Sequence, residues 1–173
     1  MTFSLRATAL LLTATMALSA CAQGGLFGRD DTVNLNAAGG AGAFGSVSDP
    51  GSIAYFNQVV GDRVLFAVDQ STLDASAMAV LDGQAEWMMT NPEFTALVEG
   101  HADEQGTREY NLALGARRAA AVRDYLVSRG VAANRVNTIS FGKERPLEIC
   151  SDESCYSQNR RGVTVLSAGG GGV

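Results

Sequence analysis

The densest polar run in the chain is Glu99-Gly100-His101-Ala102-Asp103-Glu104-Gln105-Gly106-Thr107. Carboxylates and an imidazole set this close together could do acid–base work or hold a metal ion. Neither reading fits well. His101 is the only histidine in the sequence, and a hydrolytic metal site needs three protein ligands of defined geometry. No Ser/His/Asp nucleophile set surrounds it. A structural imidazole that hydrogen-bonds its own loop is the plainer role for His101. What remains is binding. The run stands where a predicted strand ends and a predicted helix begins, a usual place for ligands. That helix then presents Asn111, Leu114 and Arg118 at i, i+3 and i+7, along one edge beside its buried stripe.

The elements that position this run follow from periodicity. Ser52–Val60 predicts a short helix. Arg63–Val68 is a β-prone apolar run and predicts the first strand. Asp74 can cap a helix reaching about Thr90, with Met78, Leu81, Ala85 and Met88 as its apolar stripe. Asn91-Pro92 stops it. Phe94–Gly100 predicts the second strand. Thr107 can cap a second helix to about Arg129, ended by Gly130, with Leu112, Ala119, Val122 and Leu126 facing inward. Val136–Phe141 and Arg161–Leu166 predict two further strands. The fold class expected is α+β: a βαβαβ–β two-layer sandwich, with two main helices on one face of a mixed four-stranded sheet.

The flanks carry different signals. Arg6 and the apolar run Ala7–Leu18 are too short to cross a bilayer and fit a signal peptide over residues 1–20. The run ends Leu18-Ser19-Ala20-Cys21, which resembles the bacterial lipobox, in which the Cys is acylated and becomes the first mature residue. By resemblance to sorted lipoproteins, Ala22 in place of Asp favours the outer membrane. Residues 21–51 are rich in Gly, Ala, Asp and Asn without a period and read as a linker of roughly 30 Å root-mean-square span. The domain is expected over 52–166 and a Gly-rich tail over 167–173. The net charge is −5, with 13 basic residues against 18 acidic ones, and an acidic balance of this kind excludes tracking a nucleic-acid backbone. Besides Cys21, the chain has only Cys150 and Cys155. Export makes a bridge between them the default, and a metal pair would lack its other ligands. Closing so short a loop stabilises by about 2 kcal/mol in the chain-entropy model. The bridge is expected to stiffen the loop and to matter little for a ligand.

The run Glu99–Asn111, followed by Leu114-Gly-Ala-Arg-Arg-Ala-Ala-Ala-Val122, resembles the peptidoglycan-associated lipoproteins. More broadly it is similar to the C-terminal domain family of outer-membrane protein A. Ser140–Pro146 and Ser157–Arg161 extend the likeness, which covers about residues 61–166. The resemblance implies non-catalytic binding of the diaminopimelate residue in the peptidoglycan stem peptide. It places Asp103 and Arg118 as the main opposed pair. Arg118 would grip the ligand carboxylate and Asp103 would accept from its ammonium. Asp69, Leu114, Thr107 and Asn111 would complete the pocket. No metal or other cofactor is implied. The other partners implied are the outer membrane, through palmitate and related acyl chains on Cys21, and proteins of the Tol envelope-integrity and cell-division system. Two positions depart from the family pattern: Phe66-Ala67-Val68-Asp69 at the end of the first strand, and Gly115 after Leu114. Arg160 and Arg161 are expected to support the loop by pairing with carboxylates. The alternative to a wall tether is a metal-dependent cell-wall hydrolase. A flagellar stator subunit would require a full membrane span, and a barrel porin many more strands.

Overall fold

The computed structural model describes residues 45–168. The expected signal peptide, Cys21, most of the linker and the end of the Gly-rich tail lie outside the described residues. In chain order the elements are α1 (Ile53–Tyr55, running on into a wider helical turn, Phe56–Gly61), β1 (Arg63–Leu65), α2 (Ala75–Thr90), β2 (Phe94–His101) and α3 (Arg108–Ser128). A single 3-10 turn (Ala133–Arg135) follows, then β3 (Val136–Gly142), α4 (Glu153–Asn159) and β4 (Arg161–Ala168). The strands form one sheet in the order β1-β4-β2-β3. β4 is antiparallel to both neighbours, while β2 and β3 run parallel. The fold class is the expected one. Among the described residues, no helix is long and apolar enough to cross a membrane.

The local signals act as physical chemistry requires. Asp74 accepts from the Ala77 N–H at 2.7 Å and Thr107 from the Tyr110 N–H at 3.2 Å, so each satisfies an orphan donor in a first helical turn. Gly130 ends α3 at φ 108°, a conformation that costs a Cβ-bearing residue. Alternate residues of β2, namely Phe94, Ala96, Val98 and Gly100, point into the core against α2 and α3.

Five expectations need correction. The first strand stops at Leu65, because Ala67–Gln70 turns away: the Gln70 N–H bonds to Ala67 O at 3.2 Å and Asp69 sits at φ 58°. Met78 is not in the buried stripe of α2; Ala77 holds that place with Leu81, Ala85 and Met88. Leu112 is 50% exposed, and the inward face of α3 runs instead through Asn111, Leu114, Gly115, Arg118, Ala119, Val122 and Leu126. Residues 45–51 belong with the domain rather than the linker: Ser52 Oγ donates to Ser46 O at 2.6 Å, and the buried Trp87 donates to Pro50 O at 2.7 Å. Ser167 and Ala168, expected in the tail, extend β4 by pairing with Thr95 and Phe94. Backbone pairing of this sort needs no side-chain signal, so a sequence does not announce it.

Helix α3 approaches the sheet through two glycines. A Cβ on Gly100 would overlap the Gly115 carbonyl, and one on Gly115 would collide with Ser140 Oγ. Ser140 Oγ in turn donates to Leu112 O at 2.6 Å. This explains why a glycine follows Leu114: a larger residue there would lift the helix off β2 and β3. Gly115→Val should therefore cost roughly 2 kcal/mol or more of unfolding free energy. Leu112→Ala, on the exposed side of the same helix, should stay within about 0.5 kcal/mol. Urea denaturation of both variants reads the contrast, and equal midpoints would show that the close approach carries no strain.

Candidate functional site

At the carboxyl ends of β1 and β2, beside the first turns of α3, lies an open cleft of about 320 Å³. Asp69 and Val68 from the β1 turn form one wall, Asp103, Gln105 and Gly106 another, and Tyr110, Asn111 and Leu114 the helix side. Four of the six residues expected in the pocket thus meet there: Asp69, Asp103, Asn111 and Leu114. Thr107 is adjacent as the cap of α3 but is not in the lining. Arg118 is not in the lining either.

Arg118 is fully buried behind that wall. Its Nε donates to Gln70 O at 2.8 Å, Nη1 to His101 O at 2.8 Å and Nη2 to Ala67 O at 3.1 Å. One guanidinium thus ties the β1 turn to the end of β2, and it also lies 5.2 Å from the Phe66 ring centroid. Burial pulls its pKa down to about 10, against the pull of the nearby Asp103 and Asp69 charges, so it stays a cation at neutral pH. No ion pair to Glu99 or Asp124 forms: Glu99 faces His101, and Asp124 pairs with Arg123.

Asp103 is buried and makes its direct ion pair elsewhere, with Arg160 Nη1 at 3.2 Å. Its other oxygen accepts from the Gln105 N–H at 3.2 Å, which curls the loop towards α3. Asn111 fastens the same loop by donating to Gln105 O at 2.7 Å, and Lys143 Nζ donates to Gly106 O at 2.6 Å. Asp69 holds a left-handed backbone conformation that costs a non-glycine residue about 1 kcal/mol. Its carboxylate accepts from the Tyr110 hydroxyl across the mouth of the cleft. Tyr110 was absent from the expected pocket; its helical offset from Asn111 and its polar tip were the only signals available. Of the two expected supports, Arg160 pairs with the Asp103 and Glu153 carboxylates. Arg161 differs, donating to the carbonyls of Asn159 at 3.4 Å and Arg145 at 3.2 Å.

His101 is a buried neutral ring. It packs on Phe141 at 5.5 Å between centroids, and neither ring nitrogen has a hydrogen-bond partner. Its Nε2 lies 3.4 Å from a Glu99 oxygen, but burial and the Arg161 and Arg145 charges push its pKa down to about 4, so this is no ion pair near pH 7. The imidazole therefore packs rather than hydrogen-bonding its loop, contrary to expectation. Among the described residues one trio has metal-ligand proximity, Cys150, Asp152 and Cys155. The two sulfurs are joined in a disulfide with Cα atoms 5.8 Å apart, so they are not available as thiolates. A second, larger groove of about 550 Å³ lies between Pro50, Tyr55 and Val59 on one side and Trp87 and Asn91 on the other; Glu86 is its one charged lining residue.

A two-layer α+β domain, with carboxylates and amides converging on an open cleft at its strand ends, defines a ligand-binding module. The profile of the OmpA family matches residues 65–160. The peptidoglycan-associated lipoprotein of Rhizobium meliloti is 53% identical over 160 residues, covering 92% of this chain and 86% of the relative. That of Agrobacterium fabrum is 50% identical over 159 residues, with the same 92% and 86% coverage. The crystal structure of the peptidoglycan-associated lipoprotein from Burkholderia pseudomallei superposes with a TM-score of 0.64 at 35% identity, covering 69% of this chain and 100% of that one. The C-terminal domain of Helicobacter pylori MotB shares the fold alone, with a TM-score of 0.58 at 20% identity over 61% of this chain and 84% of that one. The chain belongs to the OmpA family, within its peptidoglycan-associated lipoprotein branch. That membership makes it a binding protein and not an enzyme.

The His101 environment sets a pH dependence. Between its ordinary pKa of 6.5 and its folded value of about 4, the unfolded chain takes up a proton that the folded chain refuses. Stability is unaffected above pH 6.5 and falls as the pH drops through this window, by about 3 kcal/mol at most. Melting temperatures from pH 7 to 4 should decline in the wild type and decline less in His101→Leu. Parallel profiles would mean that the ring titrates freely in the folded protein.

Proposed function

We propose that the cleft binds the stem peptide of peptidoglycan through the free amino-acid head of its diaminopimelate residue, without cleaving it. One observation carries the reading: the carboxylates of Asp69 and Asp103 meet at one opening, with the Arg118 guanidinium directly behind. A zwitterionic head offers an ammonium to the two carboxylates and a carboxylate to the positive field of Arg118. Arg118 spends three of its five N–H bonds on carbonyls and is fully buried, so it acts on the ligand through its charge and through the walls it fixes, not by direct contact. Leu114 packs against the aliphatic stem of the residue, while Asn111 and Thr107 hold the loop and the helix start. Tyr110 yields Asp69 to the ligand.

On this reading residues 1–20 are a signal peptide, and Cys21 carries the acyl chains that anchor the protein to the outer membrane, facing the periplasm. Two chains suffice for stable anchoring. The segment from 21 to about 44 gives reach, and the domain grips the wall reversibly. Many tethered copies make a modest single-site affinity sufficient. The protein serves the Tol envelope-integrity and cell-division system, meeting Tol proteins through surface near the cleft. The names of the relatives support the lipoprotein and peptidoglycan parts of this proposal. Nothing in the cleft supports the hydrolase alternative, since His101 is buried under Phe141 and the paired cysteines are bridged.

Co-sedimentation of the full chain with purified peptidoglycan tests the proposal. Arg118→Met is a poor probe, because it orphans three carbonyls at a cost of roughly 3 kcal/mol or more. Asp103→Asn and Asp69→Asn keep the side-chain shape and remove one charge each. Each should weaken pelleting by about tenfold in affinity while the melt stays cooperative. Undiminished pelleting of both variants would overturn the site.

A further inference from the structure

The loop that carries Asp103 is held from outside the cleft by α4, a helix the sequence periodicity does not reveal. Two consecutive residues at its end take two consecutive residues of the loop. Asn159 Nδ2 donates to Glu104 Oε1 at 2.8 Å, and Arg160 Nη1 donates to Asp103 Oδ2 at 3.2 Å. Both Asn159 and Arg160 are buried. Asn159 also receives the Leu147 and Glu148 N–H groups on its Oδ1, at 2.7 and 3.1 Å, and donates to Glu148 O at 2.8 Å. Arg160 Nε donates to Phe66 O at 3.1 Å, at the start of the turn that leads to Asp69. The guanidinium is completed by Glu153, the first residue of α4, which pairs with it and is held below the usual carboxylate range by that bond.

Glu153 is exposed, and an exposed acid gains little from an ion pair unless its backbone is already placed. Here it is placed. Glu153 lies inside the six-residue ring closed by Cys150 and Cys155, one position after Asp152, whose side chain caps α4 through the Ser154 N–H at 2.9 Å. A covalent ring, a capped helix turn, Glu153, Arg160 and Asp103 thus form one continuous chain of contacts.

We propose that Glu153 and Arg160, fixed by the Cys150–Cys155 bridge, are positioning residues that orient the Asp103 carboxylate for ligand. The bridge is thereby part of the binding apparatus, and not only a staple on a loop. Arg160 fixes which oxygen of Asp103 is spent inward and which faces the loop and cleft. Glu153 keeps Arg160 from turning both its nitrogens onto Asp103 and withdrawing it from the opening. The inference rests on the ligand reading above and extends it to residues that do not touch the cleft.

Two measurements on the full mature chain test it: affinity for a diaminopimelate-containing stem tripeptide, and hydrogen exchange at the Gln105 amide, which reports the Asp103 bond without any ligand. The variants are Glu153→Ala, Glu153→Gln and the double variant Cys150→Ser with Cys155→Ser, compared under conditions where all remain folded. Glu153→Ala and the double variant should lose about tenfold in affinity and exchange Gln105 about tenfold faster. Glu153→Gln retains an oxygen for Arg160 and should recover most of both. Unchanged Gln105 exchange in Glu153→Ala and in the bridge variant overturns the inference, whatever the peptide does. A wild type that fails to bind the tripeptide, with Gln105 still loosened in the variants, upholds the brace and removes the ligand reading.

Discussion

The guanidinium of Arg118 donates to three backbone carbonyls drawn from two separate stretches of chain, the Ala67–Gln70 turn and the end of β2 at His101. Buried carbonyls in loops have no ladder to join, and each left unpaired costs of order 1–3 kcal/mol. A planar donor with five N–H groups on three nitrogens reaches carbonyls that lie apart, whereas a lysine carries its three donors on a single nitrogen. The turn presenting Asp69 and the loop presenting Asp103 are therefore fixed relative to each other by a residue that neither of them contains. The same cation offsets the mutual repulsion of the two carboxylates it brings together.

The device recurs around the domain. Arg135 donates to the carbonyls of Phe94, Met88 and Asn91, all at 2.9 Å or less, and so closes the connection from α2 to β2. Arg160 joins Phe66 O, Asp103 and Glu153. The loops at the carboxyl ends of β1 and β2 are thus tied by buried guanidinium bonds rather than by apolar packing. Loops fixed before a ligand arrives lower the ordering cost of any binding at the cleft.

Much of this was legible beforehand, and what was not has physical reasons. Caps and stops were readable because Asp74, Thr107 and Gly130 act on their immediate neighbours. The strands of the core were readable because β2 alternates cleanly. Asp103, Asp69, Asn111 and Leu114 were placed together only through a family likeness; their spacing alone allowed a solvated loop. The family likeness points Arg118 at the ligand, yet it lies behind the wall, and nothing in its sequence neighbourhood shows that three carbonyls need it. Leu112 shares a seven-residue spacing with Ala119 and Leu126, but the first turns of α3 turn Asn111, Leu114 and Gly115 inward, a face of amide and glycine that apolar periodicity does not mark. Helix α4 was invisible because Glu153–Asn159 is short and polar, with only Cys155 and Asn159 buried. A loop histidine suggests a hydrogen bond, and only the tertiary packing against Phe141 shows that His101 makes none.

The proposed hold on a zwitterionic amino-acid head, between the Asp69 turn and the Asp103 loop, depends on the ligand's second carboxylate as well as on its ammonium. Backbone amide shifts of the protein, titrated with a diaminopimelate stem tripeptide and separately with its lysine counterpart, read that dependence residue by residue. The lysine peptide keeps the ammonium but lacks the second carboxylate. Saturable shifts are expected at residues 67–70, 103–107 and 110–118 for the first peptide, and much weaker ones for the second. Equal response to both peptides, or shifts centred on the groove between Tyr55 and Trp87, would contradict the proposed hold.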